Sequence, residues 1–259
     1  NNYFISVSFF NLVFFIVRYY YDKYNKYMKF NKKNPREFHK YQLNKFRNIY
    51  TDPDLRDTGG GLANYFMNLS HNFLETSLPK QYEDPTILEL GASDTRHMDI
   101  VKNYSSYTLS DKNIEILSSS LKNLPTNIKY LELDAANVNA NSLNDRFDRI
   151  IACNLLEHLP KPEEMLFNWY ELLNDGGIIS LLQPCDPGML WRLGRKFGPR
   201  KGLENKGINY DLLMAMEHIN YISNIITISH ECFESNISYF PFKIPSWNFN
   251  LFAAIHIQK

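Results

Sequence analysis

The run Ile87-Leu88-Glu89-Leu90-Gly91-Ala92-Ser93-Asp94-Thr95 sets a carboxylate near the end of a short apolar stretch, then a glycine and a series of small residues. Such a stretch reads as a buried strand turning tightly into the next segment, the glycine permitting both a sharp bend and close approach by a ligand. Taken alone, the turn also has a purely structural reading. Outward from it, short apolar runs alternate with longer amphipathic segments. Strands are predicted at 86–90, 107–110, 128–133, 147–153 and 178–182, with helices at about 95–103, 113–123 and 162–173. The alternation implies right-handed strand–helix–strand units and an α/β, Rossmann-like, doubly wound and mostly parallel sheet. Two final strand-like runs, 237–242 and 251–257, are separated by a short turn around Pro245-Ser246-Trp247. That gap is too small for a crossover helix, so the seven-stranded sheet is expected to end in an antiparallel hairpin.

The chain has 259 residues, with 28 Lys+Arg against 28 Asp+Glu, 44% hydrophobic and 22% charged residues. At about 100–200 residues per domain, this supports one full domain and a modest extension. The composition excludes a disordered, collagen-like or coiled-coil chain. Cys153, Cys185 and Cys232 are odd in number and lack CxxC spacing. They argue against a disulfide framework and a cysteine zinc site, and suit a reducing compartment such as the cytoplasm. Zero net charge hides two local biases. Residues 1–50 hold ten Lys/Arg and two Asp/Glu, and 191–206 hold Arg192, Arg195, Lys196, Arg200, Lys201 and Lys206 against Glu204. Two basic patches on a balanced chain do not indicate a nucleic-acid-binding surface.

The apolar run 3–17 contains Ser6, Ser8 and Asn11. It falls short of the roughly 20 apolar residues of a spanning helix and lacks the basic start and cleavage site of a secretory signal. Three readings of residues 1–27 stay open: a membrane anchor with Arg18, Lys23 and Lys26 on the cytoplasmic side, a helix packed on the domain or a partner, or a segment upstream of a start at Met28. Residues 28–80 read as a helical extension or lid. Asn34-Pro35-Arg36-Glu37 carries a capped helix start, and Leu62, Phe66, Leu69 and Phe73 mark a second amphipathic helix after the Gly59-Gly60-Gly61 loop or hinge. Residues 81–259 then form the main domain, with an insertion at 184–210 overhanging the ligand end.

In an open parallel sheet, ligands bind beyond the carboxyl ends of the strands, where strand order reverses. Three successive strand ends are acidic here: Glu89 before Gly91, Asp111 closing the second strand, and Asp134, followed by Ala135. A carboxylate at 111 can accept both hydroxyls of a ribose. An acceptor beside a small residue at 134–135 suits an adenine amine and ring. With Phe147-Asp148-Arg149-Ile150-Ile151-Ala152-Cys153-Asn154, Leu155-Leu156-Glu157-His158-Leu159 and Leu172-Leu173-Asn174-Asp175-Gly176-Gly177, the series resembles the class I S-adenosylmethionine-dependent methyltransferases over 86–182. The resemblance implies S-adenosylmethionine as cofactor, with Glu89, Gly91, Ala92 and Ser93 cradling its methionine part. It further implies Asp111 at the ribose, the adjoining Lys112 among the cofactor-binding residues, Asp134 and Ala135 at the adenine, and Asn154 and Leu155 beside the methyl group. The departure is in the turn, where Gly91, Ser93 and Thr95 stand in place of the family's common three glycines. A dinucleotide turn would need Gly-x-Gly-x-x-Gly to present backbone amides to a pyrophosphate. Ser93 and Arg96 at its second and third positions make nicotinamide binding a runner-up, beside a non-catalytic relative that uses the fold for binding.

Methyl transfer from a sulfonium is an in-line displacement whose main demand is an acceptor atom about 3 Å from the methyl carbon. A hydroxyl acceptor gains from a general base, and the candidates are His158, just past the fourth strand, and His218. Each has a structural alternative: His158 as a residue ordering its loop, His218 as a half-buried helix residue. Relatives that hold a divalent ion through Glu-x-x-Glu-His differ from Asn154-Leu155-Leu156-Glu157-His158, which lacks the first carboxylate, so no metal is expected. In the insertion, Arg192 and Arg195 could clamp a phosphate or carboxylate, though a solvated basic surface is the plainer reading. The expected function is methyl transfer to an O or N of a small, anionic or glycan- or lipid-linked acceptor. The basic N-terminal region would allow association with a membrane surface.

Overall fold

The computed structural model describes residues 35–47, 49, 60–80, 82–93, 95–113 and 125–259. The apolar run 3–17 lies outside them, as does the helix expected at 113–123 beyond its first residue. The chain divides into two compact units, 1–52 and 53–259. In the first, α1 (Pro35–Arg47) forms where the capping signal predicts a helix, with Glu37 in its first turn.

The second unit opens with α2 (Gly60–Thr76). A seven-stranded sheet follows, built from β1 (Thr86–Leu90), β2 (Ser106–Asp111), β3 (Ile128–Glu132), β4 (Phe147–Cys153), β5 (Leu173–Pro184), β6 (Glu234–Phe240) and β7 (Phe252–Gln258). Their order is β3-β2-β1-β4-β5-β7-β6. The pairs from β3 to β5 are parallel, while β7 runs antiparallel to both β5 and β6. This is the Rossmann-like sheet with a reversed terminal hairpin that the sequence pattern predicts. The order reverses between β1 and β4, which puts the ligand crevice beyond Leu90 and Cys153.

Period-two alternation decides which side chain serves which face. Leu88, Leu90, Ile150, Ala152, Ile179 and Leu181 pack in one core with Met165, Leu166 and Trp169 of α3 (Pro162–Glu171) and with Ile222 and Ile225 of α7 (Ile222–Cys232). Ile87, Tyr107, Leu109, Ile151 and Leu182 face the other way, into a core that includes Leu74 of α2. A buried polar network also ties α2 to the sheet. Arg149, on β4, donates from Nη1 to Glu75 Oε2 (2.9 Å), from Nη2 to Glu75 Oε1 (2.6 Å) and from Nε to Ser180 Oγ (3.0 Å). His97 Nε2 lies 2.9 Å from Glu75 Oε1, and His71 Nδ1 lies 3.0 Å from His97 Nδ1. Burial works against the Glu75 carboxylate, yet His97 and Arg149 outweigh it and draw its pKa down to about 2. Burial, with the charges of His97 and Arg96, pushes His71 down to about 3 and keeps it neutral.

Two sequence expectations need correction. The helix expected at 95–103 is absent: 96–100 form turns, and 95 and 101–104 have no regular structure. Thr95 adopts a left-handed φ of +61°, and His97 is drawn into the network under α2. Side-chain anchoring thus outweighs the helical pattern there. The region after β5, expected to open with an insertion at 184–210, holds four helices: α4 (Met189–Phe197), α5 (Pro199–Asn205), α6 (Tyr210–Glu217) and α7. The split between α6 and α7 has a long-range cause. The Asn220 side-chain amide donates to the carbonyls of Leu156 (2.9 Å) and Leu159 (2.6 Å), which pins the chain to the loop after β4.

Candidate active site

The turn after β1 is built from three left-handed residues, Gly91 (φ +67°), Ser93 (+46°) and Thr95 (+61°). These are the positions at which glycines are common in the family, so the departure lies in side chains and not in backbone. For Ser93 and Thr95 that conformation costs about 1–2 kcal/mol each. Hydrogen bonds hold it: Ala92 N–H to the Ser110 carbonyl (2.9 Å), Thr95 N–H to the Ala92 carbonyl (2.8 Å), and Ser93 N–H to Asp111 Oδ2 (3.1 Å). Asp111 Oδ1 accepts from Asn113 N–H (2.9 Å). The end of β2 is thereby fastened to the β1 turn, and each carboxylate oxygen keeps a lone pair for a ligand hydroxyl.

A Cβ added at Gly91 would meet Leu155 Cδ1 at 2.9 Å, so the turn and the loop after β4 close on one another through that glycine. Asn154, beside them, has φ +50° and donates its N–H to the Leu182 carbonyl (2.8 Å). Glu89 is buried on the α2 face; Tyr107 Oη donates to its Oε2 (2.6 Å) and Ser110 Oγ to its carbonyl (2.8 Å). Asp134 is exposed and caps the 3-10 turn Ala135–Asn137, accepting from Ala136 N–H (3.1 Å) and the Asn137 side chain (2.9 Å). Ala135 is buried, its carbonyl taking a hydrogen bond from Trp169 Nε1 (3.2 Å), while Lys112 is exposed. Glu89, Asp111 and Asp134 therefore stand at or just past the ends of three neighbouring strands.

A second cluster forms past β4 and β5. His158 and His218 face each other edge-on with ring centroids 5.0 Å apart. His158 Nδ1 lies 2.8 Å from the Glu217 carbonyl oxygen, which can only accept, so Nδ1 carries the proton and Nε2 presents its lone pair. Burial, helped by the charges of His218 and Lys112, lowers the His158 pKa to about 4. His218 Nδ1 lies 2.9 Å from Asp186 Oδ2, and Arg195 Nη1 donates to the same oxygen at 2.8 Å. Burial opposes the Asp186 carboxylate, but His218 and Arg195 bring its pKa below the ordinary range. Glu157, almost fully buried, has its Oε2 without a partner, and burial pushes its pKa up to about 8. The donor atoms of Glu157, His158 and His218 lie within 4.8 Å of one another, a spacing that a metal ion could also bridge; His71, His97 and Cys153 show the same spacing under α2.

The structure thus joins His158, His218 and Arg195 in one cluster, while Arg192, one turn earlier on α4, is exposed. Sequence reasoning missed Asp186 and the role of Glu157. The signal for Asp186 was present, since Gln183-Pro184-Cys185-Asp186 again puts an acid just past a strand.

The model of the methyltransferase-domain family matches residues 88–179, the segment from β1 to β5 that carries these strand ends. Residues 88–179 carry a methyltransferase domain. Solved structures agree in fold. The plantazolicin methyltransferase BpumL, in complex with S-adenosylhomocysteine and a monoazolic desmethyl analogue of its substrate, superposes on the methyltransferase with a TM-score of 0.56 at 14% identity, over 87% of this chain and 98% of its own. The N-methyltransferase NodS from Bradyrhizobium japonicum gives 0.56 at 14% identity, over 84% and 98%. Phosphoethanolamine N-methyltransferase 1 from Haemonchus contortus gives 0.59 at 13% identity, over 85% of this chain and 49% of its own. No curated protein sequence matches the chain.

Proposed function

We propose that the methyltransferase acts on an oxygen or nitrogen of a small anionic or glycan- or lipid-linked acceptor, entering between the β4 and β5 loops and the helices α4 and α6. The bound cofactor supplies an electrophilic methyl group on sulfur. The strand-end set found here suits it: Glu89 for the methionine ammonium, Gly91, Ala92 and Ser93 as a close-approach turn, Asp111 and Lys112 at the ribose, Asp134 and Ala135 at the adenine, and Asn154 and Leu155 toward the methyl. The observation that carries the reading is the His158 ring, whose Nδ1 is fixed on the Glu217 carbonyl while its neutral Nε2 is left to accept a proton. A base of such low pKa does not ionise a hydroxyl beforehand. It takes the proton as the acceptor atom gives its electron pair to carbon and becomes acidic, a contribution of about 10²–10⁴-fold in rate. His218 holds Asp186, which orients Arg195; with the exposed Arg192 it supplies positive charge for an anionic group on the acceptor.

The test is S-adenosylhomocysteine formation across acceptors that differ in charge and in acceptor atom. Replacing Arg192 with Ala should raise KM for anionic acceptors and leave neutral ones unchanged. Equal KM values for anionic acceptors in both proteins would remove the clamp. The domain division read from the sequence, with 28–80 as a helical extension or lid and 81–259 as the methyltransferase domain, belongs to the same proposal.

A further inference from the structure

Helix α4 presents its apolar residues to the outside. Met189, Leu193 and Phe197 recur every four residues, so they share one face, and they are 61%, 50% and 74% exposed. The opposite face is the seated one. Trp191 meets the Phe252 ring at 5.3 Å, a Cβ added at Gly194 would lie 3.2 Å from Leu251 Cδ2, and Arg195 is tied to Asp186. The outward stripe continues onto a neighbouring element. Gly188, which precedes α4, approaches the 3-10 turn Trp247–Phe249 so closely that a Cβ would come within 2.6 Å of the Trp247 carbonyl oxygen. That connection between β6 and β7 exposes Phe242, Ile244 and Phe249. Large apolar side chains exposed singly are ordinary, but six on two adjoining elements mark an interaction surface. Exposed cations border them: Arg192 and Lys196 on α4, Lys201 on α5 and Lys243 in the turn, and α4 itself contains no acid.

We propose that α4 and the 242–249 turn form an interfacial docking surface for an anionic lipid bilayer. A helix with an apolar stripe flanked by Lys and Arg lies in the plane of a bilayer, its stripe among the acyl chains and its cations at the headgroups. A second copy of the chain across a two-fold axis is a poorer occupant, because it would set these cations against their own counterparts. The surface adjoins Arg195 and Asp186, so docking would bring a lipid-borne acceptor to the ends of β4 and β5. In that purpose the inference rests on the proposed function; its test does not.

The experiment is flotation of the full chain with vesicles of phosphatidylcholine alone, and with vesicles containing roughly one-third phosphatidylserine. Binding is expected on the anionic vesicles and weaker on the neutral ones, and it should fall as salt rises. Combining Leu193→Glu with Phe197→Glu should weaken binding by about tenfold or more, and Lys196→Ala by about fivefold. Phe249→Glu, on the other element, should weaken it independently, which keeps the test intact if the α4 variant fails to fold. Absence of binding by the wild-type chain overturns the proposal. Undiminished binding by the double variant does so too, since it assigns attachment to the basic N-terminal region. A dimer in sedimentation equilibrium that the double variant converts to monomer would make this a self-association face and likewise overturn it. Methylation of soluble acceptors by a variant that no longer floats separates the two readings: their loss together would count against the function, while loss of flotation alone supports the docking surface.

Discussion

Two pairs of facing histidines stand in this molecule, and they live under opposite conditions. His71, on α2, and His97, with ring centroids 5.2 Å apart, are backed by Glu75, whose carboxylate accepts from both terminal guanidinium nitrogens of Arg149. His158 and His218, 5.0 Å apart beyond β4, are backed by Glu157, whose Oε2 receives nothing. The first glutamate is drawn down to a pKa of about 2 and the second is pushed up to about 8. Residue types alone do not separate a scaffold from a reaction centre. What separates them is whether the buried charge has partners: Glu75 is an ionised anchor, and Glu157 is a neutral acid in a site whose bonds are not all made.

The comparison breaks most visibly at the two glutamates. Glu75→Ala leaves Arg149 buried without its counter-ion and should cost about 3–5 kcal/mol in urea unfolding. Glu157→Gln keeps a neutral side chain and should change stability by less than about 1 kcal/mol near pH 4, where the carboxyl is protonated folded and largely so unfolded. Similar losses in both would erase the distinction. Next in size, His158→Ala should lower kcat by about 10²-fold with little change in cofactor affinity, a split that a loop-ordering role would not give. Gly91→Ala should destabilise by about 1–2 kcal/mol, because its φ is +67° and its new methyl meets Leu155.

The remaining effect is in pH. His71 and His256 stay neutral in the fold down to about 3, against an ordinary 6.5. The unfolded chain binds those protons first, so stability should fall as pH drops from 6.5 toward 3. Glu157 works in the opposite direction. Folded, it holds its proton to about 8, against an ordinary 4.5, so stability should also decline as pH rises from 4.5 to 8. Glu157→Gln should flatten that upper limb in urea midpoints and leave the acid limb unchanged.

The sheet was readable because each strand announces itself locally. β1 and β4 occur at the residues predicted, and β2 and β3 differ from the prediction by one residue at an end or at both. The acids at the strand ends were readable for the same reason, since an acid after an apolar run is a short-range pattern. The failures are long-range. Glu75 meets Arg149 across 74 positions, and His71 meets His97 across 26, so no window along the chain shows either. The helix expected at 95–103 was lost to that network. The helical cap after β5 was under-read because Asn220, which divides it, does so through carbonyls more than sixty residues earlier.

The central claim is that the turn after β1 and the carboxylate ending β2 hold one cofactor between them, as the Ser93 N–H to Asp111 contact suggests. Calorimetric titration of S-adenosylmethionine into the wild-type chain and into Asp111→Ala tests it most directly. Measurable binding by the wild type, weakened about tenfold or more in the variant with the unfolding midpoint nearly unchanged, is the predicted result. Equal affinity in the two proteins would contradict it.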